Sequence, residues 1–122
     1  MQVQVNTDHH IPGHEALAAR VRDVVERALN RFSDRITRVE VHLSDEDGTK
    51  SGKYDKRCAM EARLEGRQPV AVTHQAATVD EAVDGAARAL ARLIRNELAR
   101  LRDQRSRRTD PLPPGTTPTG ES

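Results

Sequence analysis

The sequence predicts an α+β domain, a two-layer sandwich of order β-α-β-β-β-α with two helices packed on one face of a four-stranded sheet. Short segments in which every second residue is apolar indicate half-buried strands, and two longer segments repeat apolar residues at helical spacing. A chain of 122 residues favours one domain. A sheet with one apolar face closes most simply against helices that cover that face.

The first strand and the first helix lie near the N-terminus. Val3 and Val5 alternate with polar residues, which predicts a strand from Gln2 to Asn6. Pro12 breaks this pattern and suits the start of a helix. The helix is predicted from about His14 to Phe32, with apolar residues on one side at Leu17, Val21, Val24, Val25, Ala28, Leu29 and Phe32.

Three further strands follow the first helix. Val39, Val41 and Leu43 alternate with polar residues in the second strand. A polar loop, 45–55, separates it from a third strand with apolar residues at Cys58, Met60, Ala62 and Leu64. A reversal at Gly66 leads to the fourth strand, with Pro69 at its first position, where proline is tolerated.

The last helix is predicted to begin after Thr78, which forms a capping box with Glu81. Its apolar stripe comprises Val79, Val83, Ala86, Ala87, Leu90, Leu93, Ile94, Leu98 and Leu101. The helix is expected to reach about Arg107, a length of about 45 Å. Pro, Gly and Thr dominate from Thr109 onward, so we predict a folded domain over 1–108 and a disordered tail over 109–122.

Composition restricts the classes of function. The net charge is only +1, but from Thr78 to Arg108 eight arginines stand against five acids. Phe32 and Tyr54 are the only aromatic residues, so the chain cannot build the aromatic platform on which RNA-binding sheets stack bases. Binding to RNA would therefore depend on phosphates and shape. The chain has no apolar run of membrane length, its first residues lack the apolar core of a signal peptide, and its single cysteine suits a reducing compartment, which together predict a cytoplasmic protein.

Two rows of arginines are the candidate RNA-binding residues. On the first helix they are Arg20, Arg27 and Arg31, and on the last helix Arg88, Arg92, Arg95 and Arg102. If the helices pack side by side, these rows form a basic surface for backbone phosphates. The alternative is a solvated face, because Asp23 and Asp84 each lie four residues before an arginine and are expected to pair with it. Lys53 and Lys56, in and beside the polar loop, either contact RNA or only keep the loop soluble.

Other motifs do not support catalysis or metal binding. The stretch from Gly48 to Tyr54 lacks the glycine spacing and the Ser or Thr of a phosphate loop. His9, His10 and His14 lie in a turn that does not fix zinc geometry. Cys58 is predicted to face the core, and His74 to be a sheet-edge histidine with a partner. We find no nucleophile with a base and predict no enzymatic activity, no cofactor, no metal and no small-molecule substrate.

Three stretches carry a resemblance to a known family. They are Glu15-Ala16-Leu17, the segment from Phe32 to Leu43, and the segment from Ala82 to Leu93. In this order, across roughly Gln2 to Leu101, the chain resembles the short hibernation promoting factor and ribosome-associated inhibitor family. The resemblance implies a translation-inhibiting factor that binds 16S rRNA of the small subunit, in the 70S ribosome, where it overlaps the transfer RNA and messenger RNA sites. It also favours the basic surface over the solvated face.

Two alternatives remain open at this point. The αβββα unit is also similar to a double-stranded-RNA-binding module, although the additional first strand and the long loop favour the ribosome factor. The second alternative is a small homo-oligomeric interaction protein whose arginines only face solvent. Salt sensitivity separates the last alternative from the others, because binding through phosphates weakens steeply as salt rises.

Overall fold

The structure, a computed structural model, describes residues 1–8, 11, 14–45 and 56–109, and for 104–109 the backbone only. The elements are β1 (Gln2–Thr7), α1 (His14–Leu29), a 3₁₀ turn (Asn30–Phe32), β2 (Ile36–Asp45), β3 (Lys56–Leu64), β4 (Val70–Ala76) and α2 (Val79–Thr109). The predicted order and the α+β sandwich are confirmed. Most of the predicted polar loop and the predicted tail after Thr109 lie outside the described residues.

The four strands are arranged in chain order, β1-β2-β3-β4, so β1 and β4 are the edges. β1 pairs parallel with β2, and the other two pairs are antiparallel. Across the sheet Val5 stands opposite Val41, Val41 opposite Met60, and Met60 opposite Val72. Since opposed residues point to the same side of a sheet, these side chains form one apolar row beneath the helices.

The core lies between the helices and this apolar face. α1 packs on β1, whereas α2 packs on β3, β4 and α1. Val25, Leu29, Val39, Val41 and Ile94 are fully buried there. Each such side chain contributes about 1.5–3 kcal/mol when it leaves water.

Cys58 faces the core, as predicted, and is fully buried. Burial raises the pKa of its thiol to about 12. The thiol therefore stays protonated at neutral pH and acts as a small apolar side chain.

The β3–β4 hairpin turns at Gly66, whose φ of 69° lies in the left-handed region that glycine adopts without strain. The backbone N–H of Arg67 donates to the carbonyl of Leu64 at 3.1 Å and closes the turn. Pro69 lies directly before β4 rather than at its first position. Its missing N–H therefore costs the sheet no hydrogen bond.

The helices differ from their predicted forms at particular residues. α1 ends at Leu29 and continues as a 3₁₀ turn to Phe32. At the start of α2 the N–H of Glu81 donates to Oγ1 of Thr78 at 3.1 Å, which confirms Thr78 as the N-cap. The Glu81 carboxylate accepts a hydrogen bond from the Thr78 hydroxyl, at 3.2 Å, instead of from its backbone N–H. Leu93, predicted on the apolar stripe, is 36% exposed and so lies at the margin of the buried side of α2.

Within the described part of the chain, no helix is long and apolar enough to cross a membrane. α2 alone has the length, but charged residues recur along it. The helix extends for about 46 Å over its 31 residues.

Candidate nucleic-acid interface

The two helices lie side by side and run in the same direction. Nη2 of Arg20 on α1 lies 3.4 Å from Oδ1 of Asp80 on α2. One turn further along, Val24 and Val83 line the same groove between the helices. The outward sides of both helices therefore form one continuous surface on the side away from the sheet, as the arginine hypothesis requires.

Four arginines form the outward stripe of α2, which we call the α2 basic stripe: Arg88, Arg92, Arg95 and Arg102. All four are exposed, and their spacing of three, four and seven residues keeps them on one side of the helix. No acidic group among the described side chains forms an ion pair with any of them. The expected pair between Asp84 and Arg88 is thus absent, and that prediction was wrong.

The charge of α2 changes sign along the helix. The outward residues of its first turns are acidic, at Asp80, Glu81 and Asp84. Acidic groups at this end stabilise the helix because its first N–H groups carry a partial positive charge. The basic stripe begins only one turn later, at Arg88. An anion that approaches this surface is therefore attracted to the middle and the C-terminal half of α2.

The arginines of α1 lie on the same surface, but two of them are paired. Arg27 forms an ion pair with Asp23, which confirms the predicted helical partner. The hydrogen bond from Arg27 lowers the pKa of the Asp23 carboxyl, and the same bond raises the pKa of the guanidinium. Arg20 pairs with Asp80 of α2, a partner that lies 60 residues away and that helical spacing does not reveal. Both pairs are solvent-exposed and dissociate at little cost.

The remaining candidates differ in how their charge is engaged. The guanidinium of Arg31 lies 5.2 Å from the centre of the Phe32 ring, a cation–π contact that leaves the charge accessible. Lys56, the first residue of β3, holds its ammonium group 3.3 Å from the buried Asp45 at the end of β2, so it is not a free cation of the loop. Lys53 lies outside the described residues.

A second groove lies between α2 and β4. His74 of β4 lines it together with Gly85, Arg88 and Arg92 of α2. The prediction of a sheet-edge histidine is confirmed, since β4 is an edge strand. The described residues offer His74 no hydrogen-bond partner, so the expected partner is not found there. Sequence reasoning missed this groove, although a glycine inside a helical pattern often has a packing reason.

The opposite face of the sheet is polar but does not form a basic surface. Arg38 lies 2.9 Å from Glu40, and Arg63 lies 3.9 Å from Glu61, so cations and anions alternate there. His42 is exposed on the same face, 3.7 Å from Glu40. This face supplies matched control positions for tests of the helical face.

Of the three histidines near the first helix, only His14 lies within the described residues, where it shares a hydrogen bond with the Thr7 hydroxyl. His9 and His10 lie outside them. No described group of His, Cys, Asp or Glu side chains could hold a metal ion.

Comparisons with known proteins agree with this architecture. A family model described as "Sigma 54 modulation protein / S30EA ribosomal protein" matches residues 4–102. The N-terminal domain of Thermus thermophilus Protein Y is similar with a TM-score of 0.58 and 24% identity, over 79% of this chain and 98% of that chain. A ribosomal subunit interface protein from Coxiella burnetii is similar with a TM-score of 0.60 and 18% identity, over 81% of this chain and 99% of that chain. A comparison with curated protein sequences found no match.

Proposed function

Because the chain belongs to the Sigma 54 modulation protein / S30EA ribosomal protein family, we propose that it is a ribosome-associated factor that binds the small subunit and inhibits translation. It contacts 16S rRNA in the decoding region and overlaps the sites of transfer RNA and messenger RNA. The folded part, 1–108, is the binding unit, and 109–122 is a tail outside it. The names of the similar solved structures, which contain the words "ribosomal subunit interface protein" and "Protein Y", support this proposal.

The observation that carries the proposal is the α2 basic stripe. Four exposed guanidinium groups without acidic partners among the described residues lie along one side of a helix. Guanidinium forks match phosphate oxygens in geometry and stay charged at any physiological pH. A row of this kind can follow an RNA backbone without reading its sequence. The lack of an aromatic platform on the sheet supports the same mode of binding.

The arginines of α1 have a secondary role in this proposal. Arg20 and Arg27 must release Asp80 and Asp23 before they bind phosphate. Since exposed ion pairs contribute little to stability, this release is not prohibitive, but it makes the α1 contacts weaker than those of α2.

Co-sedimentation with ribosomes in sucrose gradients tests the proposal. We expect the wild-type protein to move with 30S or 70S particles at low salt, and less of it at moderate salt. Reversing two members of the stripe, Arg92→Glu with Arg95→Glu, should weaken binding by roughly 100-fold or more, because two contacts are lost and repulsion is added. The melting temperature of the variant should stay near that of the wild type, since both side chains are exposed.

A matched control carries the same change of charge on the other side of the molecule. Arg57→Glu with Arg63→Glu alters the open face of the sheet, where both side chains are exposed. This control should retain binding close to that of the wild type. An equal loss in both variants would contradict the assignment to α2, and no binding of the wild type at low salt would contradict the ribosome itself as the partner.

A further inference from the structure

We infer that His74 and Gly85 extend the binding surface into the groove between α2 and β4, where His74, Arg88 and Arg92 together bind a phosphate of the RNA backbone. The identity of the ligand as RNA rests on the proposed function. The site itself rests on the positions of four residues: His74, Gly85, Arg88 and Arg92. Of these, Arg88 also lines the groove between the helices.

His74 stands at a position of the sheet that faces the helices. It lies opposite Cys58 in the register of β3 and β4, and Cys58 lies opposite Leu43. Both of these neighbours are buried, so the same side of β4 is the one that packs against α2. His74 nevertheless stays exposed, because β4 is the edge strand and no further strand covers it. A polar side chain therefore replaces the apolar one that this position would ordinarily carry.

Gly85 makes room for the imidazole. A Cβ atom at this position would lie 2.2 Å from Cδ2 and 2.3 Å from Nε2 of His74. The ring thus occupies the space that any other residue on α2 would fill with its side chain. Gly85 does not have a positive φ, so the turn of the backbone does not require a glycine here. Glycine weakens a helix interior, and the close approach of His74 is the reason that the structure offers for it.

The charges around the imidazole favour an anion at one end of the groove. Glu81 and Asp84 line it on the N-terminal side, and Arg88 and Arg92 on the C-terminal side. Neither arginine forms an ion pair with a described acid, so both guanidinium groups are available to an anion. Repulsion from the two carboxylates places the anion toward Arg92.

Phosphate suits these donors. Guanidinium groups bind its oxygens through paired N–H donors, and an imidazole supplies a further N–H. Arg88 lines this groove and also the one between the helices. An RNA strand bound along the α2 basic stripe can therefore place one phosphate beside His74 while its neighbours contact the stripe.

A double-mutant cycle measured by ribosome binding tests the arrangement. His74→Ala should weaken binding about tenfold, the effect of one hydrogen bond to a charged group. Gly85→Ala should give a similar loss, because its methyl group displaces the imidazole. The double variant should bind no more weakly than His74→Ala alone, since the ring is already absent. His42→Ala, on the open face of the sheet, is the matched control and should bind like the wild type.

Two results of the cycle would overturn the inference. One is wild-type binding by His74→Ala. The other is a loss from Gly85→Ala that adds in full to the loss from His74→Ala, because Gly85 would then act independently of the imidazole. Thermal unfolding of each variant establishes that the compared proteins are folded.

A second measurement separates this inference from the proposed function. The imidazole C–H signals of the wild-type protein are followed by NMR during titration with a short RNA duplex and, separately, with inorganic phosphate. A shift of the His74 signals by RNA, with those of His42 unchanged, supports the groove even if the protein fails to sediment with ribosomes. No shift of His74 by RNA overturns the inference even if ribosome binding is intact. A shift of the His74 signals by inorganic phosphate but not by RNA also overturns it, since the ligand would then be a free anion.

Discussion

Glu97 shows how one side chain can connect two elements. On α2 it accepts hydrogen bonds from Arg100 at 2.5 Å and from Arg67 of the β3–β4 hairpin at 3.5 Å. The bond from Arg100 is the main reason that the pKa of the Glu97 carboxyl lies below its usual range, and the contact with Arg67 lowers it further. The ion pairs hold the hairpin against the helix at the end of the domain opposite to Gly85.

The first prediction concerns the pH dependence of this contact. A carboxyl whose pKa is lowered by folding stabilises the protein above the pKa of the unfolded chain, and this stability is lost as pH falls through the folded pKa. Glu97→Gln should therefore lower the free energy of unfolding at neutral pH by about 0.5–1 kcal/mol, the value for pairs near the surface. The difference from the wild type should vanish in acid.

Denaturant unfolding at neutral pH and at acidic pH measures this effect. Glu65→Gln is the control, because Glu65 is an exposed acid of the same hairpin without an ion pair among the described residues. A destabilisation by Glu97→Gln that stays constant down to acidic pH would show that the charge of Glu97 is not the cause.

At the scale of elements, the two helices contribute unequally to the charged surface. α2 has an acidic start followed by four arginines without acidic partners among the described residues. α1 contributes Arg20 and Arg27, both in exposed ion pairs. The arginine row of α2 is thus available to an anion. In the row of α1, two arginines are held by acidic side chains of the protein, with which an anion must compete.

The prediction at this scale is that removing the competing acids strengthens binding. Asp23→Asn with Asp80→Asn should make Arg20 and Arg27 available to phosphate. Ribosome binding should tighten, and the slope of log binding constant against log salt should steepen by about one to two, since each added phosphate contact releases about one counterion. Sedimentation at several salt concentrations measures both quantities.

Glu61→Gln with Glu65→Gln adds the same charge away from the helical surface and serves as the control. We expect it to change the salt slope little. The same steepening in both variants would mean that net charge alone governs binding and that α1 has no contact with the partner.

At the scale of the whole molecule, we propose that the domain, 1–108, folds without the C-terminal residues 109–122. The core extends from Val3 on β1 to Ile94 and the partly buried Leu98 on α2. A protein that lacks 109–122 should therefore unfold at the melting temperature of the full chain and sediment with ribosomes in the same way. Thermal unfolding followed by circular dichroism measures the first expectation.

A longer truncation, after Ile94, is the positive control for this measurement, because it removes Leu98 from the core. Its melting temperature should fall. A clear fall for the shorter truncation as well would contradict the proposed domain boundary, since 109–122 would then contribute to packing.

Much of the fold could be predicted because its causes are local. Alternation of Val39, Val41 and Leu43 identifies a strand with one buried face, and Thr78 with Glu81 identifies the start of α2. β1 pairs parallel with β2 because α1 connects the two strands, and neighbouring strands joined by such a crossover run in the same direction. The same local pattern misplaced Leu93, because helical spacing gives the side of a helix but not how far the sheet extends beneath it.

The candidate surface could be predicted only in part. Spacing placed Arg88 and Arg92 on the outward side of α2, and it correctly indicated the pair of Asp23 with Arg27. It did not indicate that Asp84 leaves Arg88 unpaired. An ion pair depends on side-chain positions within a few ångströms, and residue spacing allows such a pair without requiring it.

The sequence by itself determined the elements, their order and the family, because hydrophobic periodicity and capping act between residues near each other in the chain. Only the tertiary structure decided which charges remain available, since Arg20 and Asp80 meet 60 residues apart and His74 meets Gly85 across two elements. These contacts depend on how the helices lie on the sheet. That placement is set by the packing of the whole core, which no single segment of the sequence specifies.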